Sequence, residues 1–197
     1  MVLPKWPFVA ISLFVIILSA CTHTRIVGQR EPGFATATYR SFLIYCSAED
    51  ENVRWAVEEA MAKELERHGI PGQGSLSLLT EARPYTEPEV LELMAAAGHE
   101  GLLRIDVSTW ATDLVEQPGG FFVFGGHYGF VEYYDPPYLE ERSRLELGLV
   151  LLDGATGKTA WSGAAWLNRS GDRPLSKLSI ETGGDFANYL RRHKLAR

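Results

Sequence analysis

Two hydrophobic periods alternate along residues 41–107, and this alternation constrains the fold more than any other feature of the sequence. Ser41–Cys46 is an apolar run typical of a buried strand, and apolar residues within Val53–Leu65 recur at helical spacing. In residues 103–107, leucine, isoleucine and valine alternate with polar residues, as in a half-buried strand. A strand, helix, strand, helix, strand order predicts parallel neighbouring strands joined by right-handed crossovers.

The second strand and the second helix of this order lie between residues 76 and 98. We assign the short apolar run Leu76–Leu79 to the second strand. Thr86 and Glu89 have the spacing of a capping box, which predicts that a helix begins there. Gly98 is expected to end that helix as its C-cap.

The carboxyl-terminal half predicts a hairpin followed by a helix. Alternating leucines in Leu145–Leu151 indicate a strand, and Ala160–Leu167 is expected to run back beside it after a turn at Asp153–Gly157. Leu175–Leu195 has a helical pattern, which Gly183-Gly184 is expected to break or kink. The predicted fold class is therefore α/β: a single β-α-β-α-β domain extended by a β-hairpin and a C-terminal helix.

Composition supports one globular domain and excludes some partners. The 197 residues are 46% hydrophobic, which suits one apolar core. The net charge of -6 offers no basic surface to replace the counterions of a nucleic acid, so no nucleic-acid partner is expected. Two cysteines are too few for a disulfide framework.

An apolar segment near the start of the chain has the features of a signal peptide. Lys5 precedes Phe8–Leu18, which is apolar apart from Ser12. This run is little more than half of the roughly 20 residues that a membrane-spanning helix needs. We therefore expect residues 1–20 to be a cleaved signal peptide rather than a permanent transmembrane anchor.

The next residues, Leu18-Ser19-Ala20-Cys21, resemble the lipobox of bacterial lipoproteins. The resemblance implies a mature chain that begins at Cys21, whose sulfur carries a diacylglyceryl group and binds the membrane through its acyl chains. Thr22 stands where an aspartate would resemble an inner-membrane retention signal, which implies the periplasmic face of the outer membrane in a Gram-negative host. The alternative is an ordinary signal peptide whose cleavage releases a soluble protein.

Residues 21–40 separate this site from the first predicted strand. The segment from Thr22 to Arg40 is polar, contains Gly28 and Pro32, and shows no periodicity. We therefore expect residues 21–40 to form a lipidated N-terminus and a flexible, extended tether, and residues 41–197 to form the globular α/β domain.

The order of these features resembles a group of bacterial envelope lipoproteins whose α/β domain is like that of the curli-secretion lipoprotein, the LpoB activator of penicillin-binding proteins and the amino-terminal domain of TolB. The resemblance lies in the tether, the helix bearing Arg54 and Glu58, the turn Gly98–Gly101 before the third strand, and the hairpin Asp153–Lys158 followed by Trp161. It implies a binding or assembly module with no conserved active site to carry over.

Residues 119–134 are unusually rich in aromatic side chains and glycines, and prolines flank them. One interpretation is a hairpin or loop that folds onto the core of its own domain. The other is an adaptable loop that contacts a partner protein, a glycan or the membrane interface, because aromatic side chains supply large contact areas. The candidate contact residues are Phe121, Phe122, Phe124, Tyr128, Phe130, Tyr133 and Tyr134.

A nucleotide-binding loop is not expected at Gly154–Thr159, although Gly-Lys-Thr ends such a motif. The first glycine of that motif would fall on Leu152, and a strand pattern follows where a helix is required. We predict a hairpin turn there, and no nucleotide or other cofactor.

No catalytic or metal-binding residues are assigned. The five histidines have none of the close spacings that a metal site prefers. Carboxylates at Asp113/Glu116 and Glu132/Asp135 leave open an envelope hydrolase that acts on peptidoglycan or polysaccharide, which would need two of them across a cleft. Cys46, which shares the face of Phe42 and Ile44 in the predicted strand, is expected to be a small buried hydrophobe.

These observations together predict a lipid-anchored, periplasm-facing envelope lipoprotein that acts as a non-catalytic binding or assembly module. Its partners are expected to be the membrane, through Cys21, and an envelope protein. The alternatives are the hydrolase and a subunit of a secretion or transport assembly.

Overall fold

A six-stranded mixed sheet forms the centre of the domain, and a two-stranded ribbon and three helices accompany it in the computed structural model, which describes residues 24–79, 85–126 and 129–197. The elements are β1 (Arg25–Arg30), β2 (Phe42–Cys46), α1 (Glu51–Arg67), β3 (Gly72–Gly74), α2 (Glu87–Ala96), β4 (Gly101–Gln117), β5 (Gly120–Gly126), β6 (Gly129–Asp135), β7 (Tyr138–Asp153), β8 (Thr159–Ser170) and α3 (Leu175–Arg192).

The strand order β1-β8-β7-β4-β2-β3 confirms the predicted architecture. β2 lies parallel to both β3 and β4, whereas the other pairs in this sheet are antiparallel. The prediction for the second strand is wrong in its position: the strand is Gly72–Gly74 and not Leu76–Leu79. Ser75 and Leu76 donate hydrogen bonds to the Glu58 carboxylate, and this contact turns the chain out of the sheet into a short 3₁₀ helix.

Helices cover the two faces of the sheet unequally. α1 and α3 pack on one face over a large core that contains Phe42, Met61, Leu149, Trp161 and Phe186. α2 covers only part of the other face, through a smaller core formed by Leu43, Tyr45, Val90, Met94, Leu102 and Leu152. The capping box at the start of α2 is confirmed, and the helix ends before Gly98, whose positive φ of 76° fits the predicted C-cap.

Part of the segment predicted as a tether belongs to the sheet. Residues 25–30 form the edge strand β1, which pairs antiparallel with β8. The backbone N–H of Thr24 also donates to Asp185 on α3, at 2.8 Å. The expected extended conformation is present in β1, whereas Pro32–Phe34 forms a short 3₁₀ helix, and from Thr24 onward the segment is bonded to the domain rather than free. The segment shows no apolar alternation because β1 is an edge strand. At Gly28 this strand approaches the Trp161 ring so closely that a Cβ would clash.

The predicted break at Gly183-Gly184 is wrong, since α3 continues through both glycines to Arg192. A Cβ at Gly183 would lie 3.0 Å from the Cβ of Glu64 and 3.3 Å from the sulfur of Met61 on α1. The glycine therefore permits a close approach of two helices, and the packing between them offsets its poor helix propensity.

Gly183→Leu is expected to lower the free energy of unfolding by about 1–3 kcal/mol, because the larger side chain forces α3 away from α1. The matched variant Gly184→Ala, whose Cβ meets nothing nearer than a Glu64 carboxylate oxygen at 3.4 Å, should raise it by roughly 0.5–1 kcal/mol through helix propensity. Urea unfolding of both variants measures the two changes. An unchanged stability in Gly183→Leu would contradict the close approach.

Candidate interaction surface

β4 and β7 extend past their neighbours and form a two-stranded ribbon. The pairing of β7 with β8 ends at Ser143 and Arg169, whereas β4 and β7 stay paired as far as Gln117 and Tyr138. β5 and β6 follow this ribbon after connections of two residues on each side and pair as a hairpin. We call the described residues 113–126 and 129–142 the arm.

The arm exposes apolar side chains on both faces of its hairpin. Phe121 and Tyr134 are directly opposite each other and are 63% and 61% exposed, and Val123 follows on their face at 55%. Tyr133, also 55% exposed, belongs to the other face because adjacent residues of a strand point to opposite sides. Large apolar patches that are exposed on a protein surface commonly mark a site of interaction with another molecule.

Three predicted contact residues, Phe121, Tyr133 and Tyr134, therefore lie on the exposed surface of the arm rather than in either core. The backbones of three others occupy the same two strands, since Phe122 is opposite Tyr133, and Phe124 and Phe130 lie closer to the turn. The remaining predicted site residues, Tyr128 and the lipid-attachment site Cys21, lie outside the described residues. Their roles stay predictions.

Two of the carboxylates considered for a hydrolase, Asp113 and Glu116, do not face each other. They are three residues apart on one strand, so they point to opposite faces. Asp113 also forms a cross-strand ion pair with Arg144. The other two, Glu132 and Asp135, both lie on β6. Among the side chains that the structure describes, Asp113 and Glu116 do not form a pair across one cleft.

A buried acid links α1 to the carboxyl ends of two parallel strands. The Glu58 carboxylate accepts hydrogen bonds from the backbone N–H of Cys46 and of Leu76, both at 2.9 Å, and from the Ser75 hydroxyl at 2.9 Å. Burial raises the pKa of Glu58 above its ordinary value, and the backbone N–H donors oppose that rise. With these oxygens occupied, the carboxylate ties β2, α1 and the turn after β3 together.

Arg54 lies one helical turn before Glu58 and is also buried, at 5% exposure. Its guanidinium stacks on Tyr45, 5.6 Å from the centre of the ring. Within the described part of the chain, its Nε and Nη2 have no hydrogen-bond partner. The sequence resemblance singled out this helix, but only the structure shows that both charges are buried.

Glu58→Gln should destabilise the fold by about 1–3 kcal/mol near pH 4, because one backbone N–H then faces the amide nitrogen instead of an oxygen. The difference in the free energy of unfolding between parent and variant (the gap) should narrow as pH rises above about 4.3, the pKa of an unfolded glutamate. The reason is that the raised pKa lets the unfolded parent release its proton first, which favours unfolding. Urea unfolding between pH 4 and pH 8 measures the gap, and a gap that widens with pH would contradict this account.

Two smaller predictions, the burial of Cys46 and the turn at residues 153–158, are tested by the fold. Cys46 is fully buried, as predicted, and burial raises the pKa of its thiol to about 11. Residues 153–158 form the predicted hairpin turn, in which Asp153 accepts hydrogen bonds from Thr156 and Gly157 has a positive φ of 68°. Among the described residues, no three His, Cys, Asp or Glu side chains group as a metal site. The described helices include none with the length and apolarity needed to span a bilayer.

Solved structures share this fold, although no family model and no curated protein matches the chain. A variant of the PelC dodecamer from Paraburkholderia phytofirmans is 16% identical, with a TM-score of 0.50, and the alignment covers 88% of this chain and 99% of that one. Lipoprotein GNA1162 from Neisseria meningitidis is 16% identical, with a TM-score of 0.42, covering 77% of this chain and 98% of that one. At this identity the likeness to PelC confirms the α/β fold class alone.

Removing aromatic side chains from the arm should leave the fold intact. Phe121→Ser and Tyr134→Ser are expected to change the free energy of unfolding by no more than about 0.5 kcal/mol, because both side chains are exposed. Trp161→Ala, in the larger core, is the control and should cost about 3–5 kcal/mol. Thermal or urea unfolding makes the comparison, and a core-sized loss in the arm variants would show that the arm is part of the core.

Proposed function

We propose that this protein is a lipid-anchored, non-catalytic binding or assembly module of the bacterial envelope, with the arm as its contact surface. The observation that carries the proposal is the β5–β6 hairpin of the arm, whose described side chains Phe121, Val123, Tyr133 and Tyr134 are exposed and lie outside both hydrophobic cores. A domain does not gain stability from four large apolar side chains left in water, so their presence there is best explained by a surface that covers them.

The lipobox-like residues ahead of Cys21 supply the anchor in this proposal. Several acyl chains on one residue bind a bilayer far more tightly than a single chain, since each buried methylene contributes about 0.8 kcal/mol. Thr22 stands where an inner-membrane retention signal would have an aspartate, and it therefore supports the inner, periplasm-facing leaflet of the outer membrane as the place of this anchor.

A second candidate is a subunit of a homo-oligomeric envelope assembly. It is supported by the likeness to PelC, whose structure is a dodecamer and is covered over 99% of its length. The two candidates differ in whether the anchored module acts as a monomer or as a subunit of an oligomer of defined size.

Cys21→Ser tests the anchor. The parent protein, expressed in a Gram-negative host, should have an intact mass that begins at residue 21 and includes acyl chains, and it should be recovered with the outer membrane. The variant should lose both the added mass and the outer-membrane recovery, because no other residue in the lipobox-like segment carries a thiol.

The control is Thr22→Ser, which changes a neighbouring residue and keeps the thiol, and it should behave as the parent does. An unmodified, soluble parent would overturn the anchored module. Sedimentation of the acylated protein in detergent then separates the two candidates, since a subunit of a homo-oligomer should form a complex of defined mass.

A further inference from the structure

We propose that the β5–β6 hairpin of the arm lies in the interfacial region of the same lipid bilayer that holds Cys21. The arm and the start of β1, which follows Cys21 in the chain, lie at the same end of the sheet, measured along the strands. This inference rests on the proposed acylation of Cys21 and identifies the lipid bilayer as what the hairpin contacts.

Strand register places the start of β1 and the arm at the same end of the sheet. Arg25 pairs with Trp166, Trp166 with Glu146, and Glu146 with Thr109, which defines one row across β1, β8, β7 and β4. From this row β1 leads back toward Thr24. Because β1 and β4 run in opposite directions, β4 leads forward from the same row, toward Gln117 and the arm.

The length of chain ahead of β1 limits the distance between the domain and its anchor. Thr24 is buried and its N–H is bonded to Asp185, so the domain begins there among the described residues. Three Cα steps separate Thr24 from Cys21 and can span at most about 11 Å. Thr24 is therefore held within that distance of the acylated residue. β4, which carries the arm, lies three strands from β1, about 14 Å across the sheet at 4.8 Å per strand.

The arm is long enough to meet the bilayer that this anchor defines. Eight residues of β4 follow Thr109, a length of about 26 Å at 3.3 Å per residue. Each step between neighbouring strands adds about 20–25° of twist, so the arm is inclined to β1 and approaches the bilayer obliquely. An oblique ribbon brings its hairpin along the membrane surface instead of through it.

The chemistry of the hairpin fits a lipid interface better than a protein partner. Its two faces both expose apolar side chains, Phe121 and Tyr134 on one and Tyr133 on the other. A partner protein docked on one face leaves the other in water, whereas a bilayer surrounds both. Residues 119–131 contain no Asp, Glu, Lys or Arg, and the two acids of the hairpin, Glu132 and Asp135, follow on β6 at the register positions opposite Val123 and Gly120. A position at the interface leaves such groups water and headgroups as partners, whereas the centre of a bilayer does not.

Two further features set the depth of the hairpin. Among the residues that the structure describes, its strands pair only with each other, so each has an outer edge of backbone N–H and C=O groups that need water or headgroups as partners. This confines it to the interface, the region in which Trp and Tyr are enriched. Trp110 and Trp166 are both partly exposed at the same edge of the sheet, close to the row through Arg25.

The test uses the acylated full-length mature protein reconstituted in phosphatidylcholine vesicles. Val123→Cys and Tyr133→Cys place a thiol on each face of the hairpin, and Ala155→Cys places one in the exposed β7–β8 turn at the opposite end of the sheet. An environment-sensitive fluorophore is attached to each. Native Cys46 is buried and its raised pKa, about 11, protects it from labelling, which the parent protein checks.

The expected result is that labels at positions 123 and 133 both emit at shorter wavelength in vesicles. Each should be quenched several-fold more strongly by a spin label carried on lipid than the label at 155. The label at 155 should respond instead to aqueous iodide. Adding Phe121→Ser and Tyr134→Ser to the Tyr133→Cys protein should weaken the lipid quenching, while flotation with the vesicles through the acyl chains continues.

Three outcomes would overturn the inference. If iodide quenches positions 123, 133 and 155 equally while the protein floats with vesicles, the hairpin lies in water. If only one of positions 123 and 133 is protected, and its protection grows with the ratio of protein to lipid, a second copy covers the hairpin. If the mature protein carries no acyl chains and does not float, the proposed anchor fails first, which intact mass distinguishes from a failure of the hairpin alone.

Discussion

The antiparallel pairing of β4 with β7 is the contact on which the rest of the structure depends. It joins the parallel part of the sheet, β2, β3 and β4, to the antiparallel part, β7, β8 and β1, and so makes one sheet of two halves. The same pairing continues beyond the other strands and carries the arm. A single ladder therefore holds the core together and positions the exposed apolar surface.

A shift of register within that ladder changes which side chains the arm presents. Between Val107 and Thr109 one residue of β4 has no partner on β7, as in a β-bulge. Leu103, Ile105 and Val107 face the helices α1 and α3, and after the shift Trp110 takes that side although it lies an odd number of residues further on. The bulge thus places a large, partly exposed ring on the face of the sheet that α1 and α3 cover, one residue beyond the row through Arg25 and Thr109.

The sequence predicts the parts of this fold that depend on local pattern. The period of apolar residues identifies β2, α1, α2 and the β7–β8 hairpin, and the capping residues Thr86 and Glu89 locate the start of α2. It does not identify β1 or β3, because a short edge strand buries too few side chains to alternate. The continuity of α3 through Gly183 depends on contact with Met61 and Glu64, far away in sequence, which no local propensity contains.

The candidate surface shows the same division. Residues 119–134 stand out by composition alone, and Phe121, Tyr133 and Tyr134 are exposed. Their role as contact residues stays a prediction. The arm and the start of β1 lie at the same end of the sheet. This could not be predicted, because it depends on the pairing of β1 with β8, some 140 residues apart in the chain.

The position of β1 also determines how the domain would resist a mechanical load. Its hydrogen bonds to β8 are perpendicular to the strand, so tension applied along β1 from the chain ahead of Thr24 shears all of them together rather than opening them in turn. At the far end of the strand, Arg30 donates to the carbonyl oxygens of Ala35 and His193, at 2.7 and 2.6 Å, and holds that end to the body of the protein. Tension on the chain ahead of Thr24 would thus load the fold in its strongest direction.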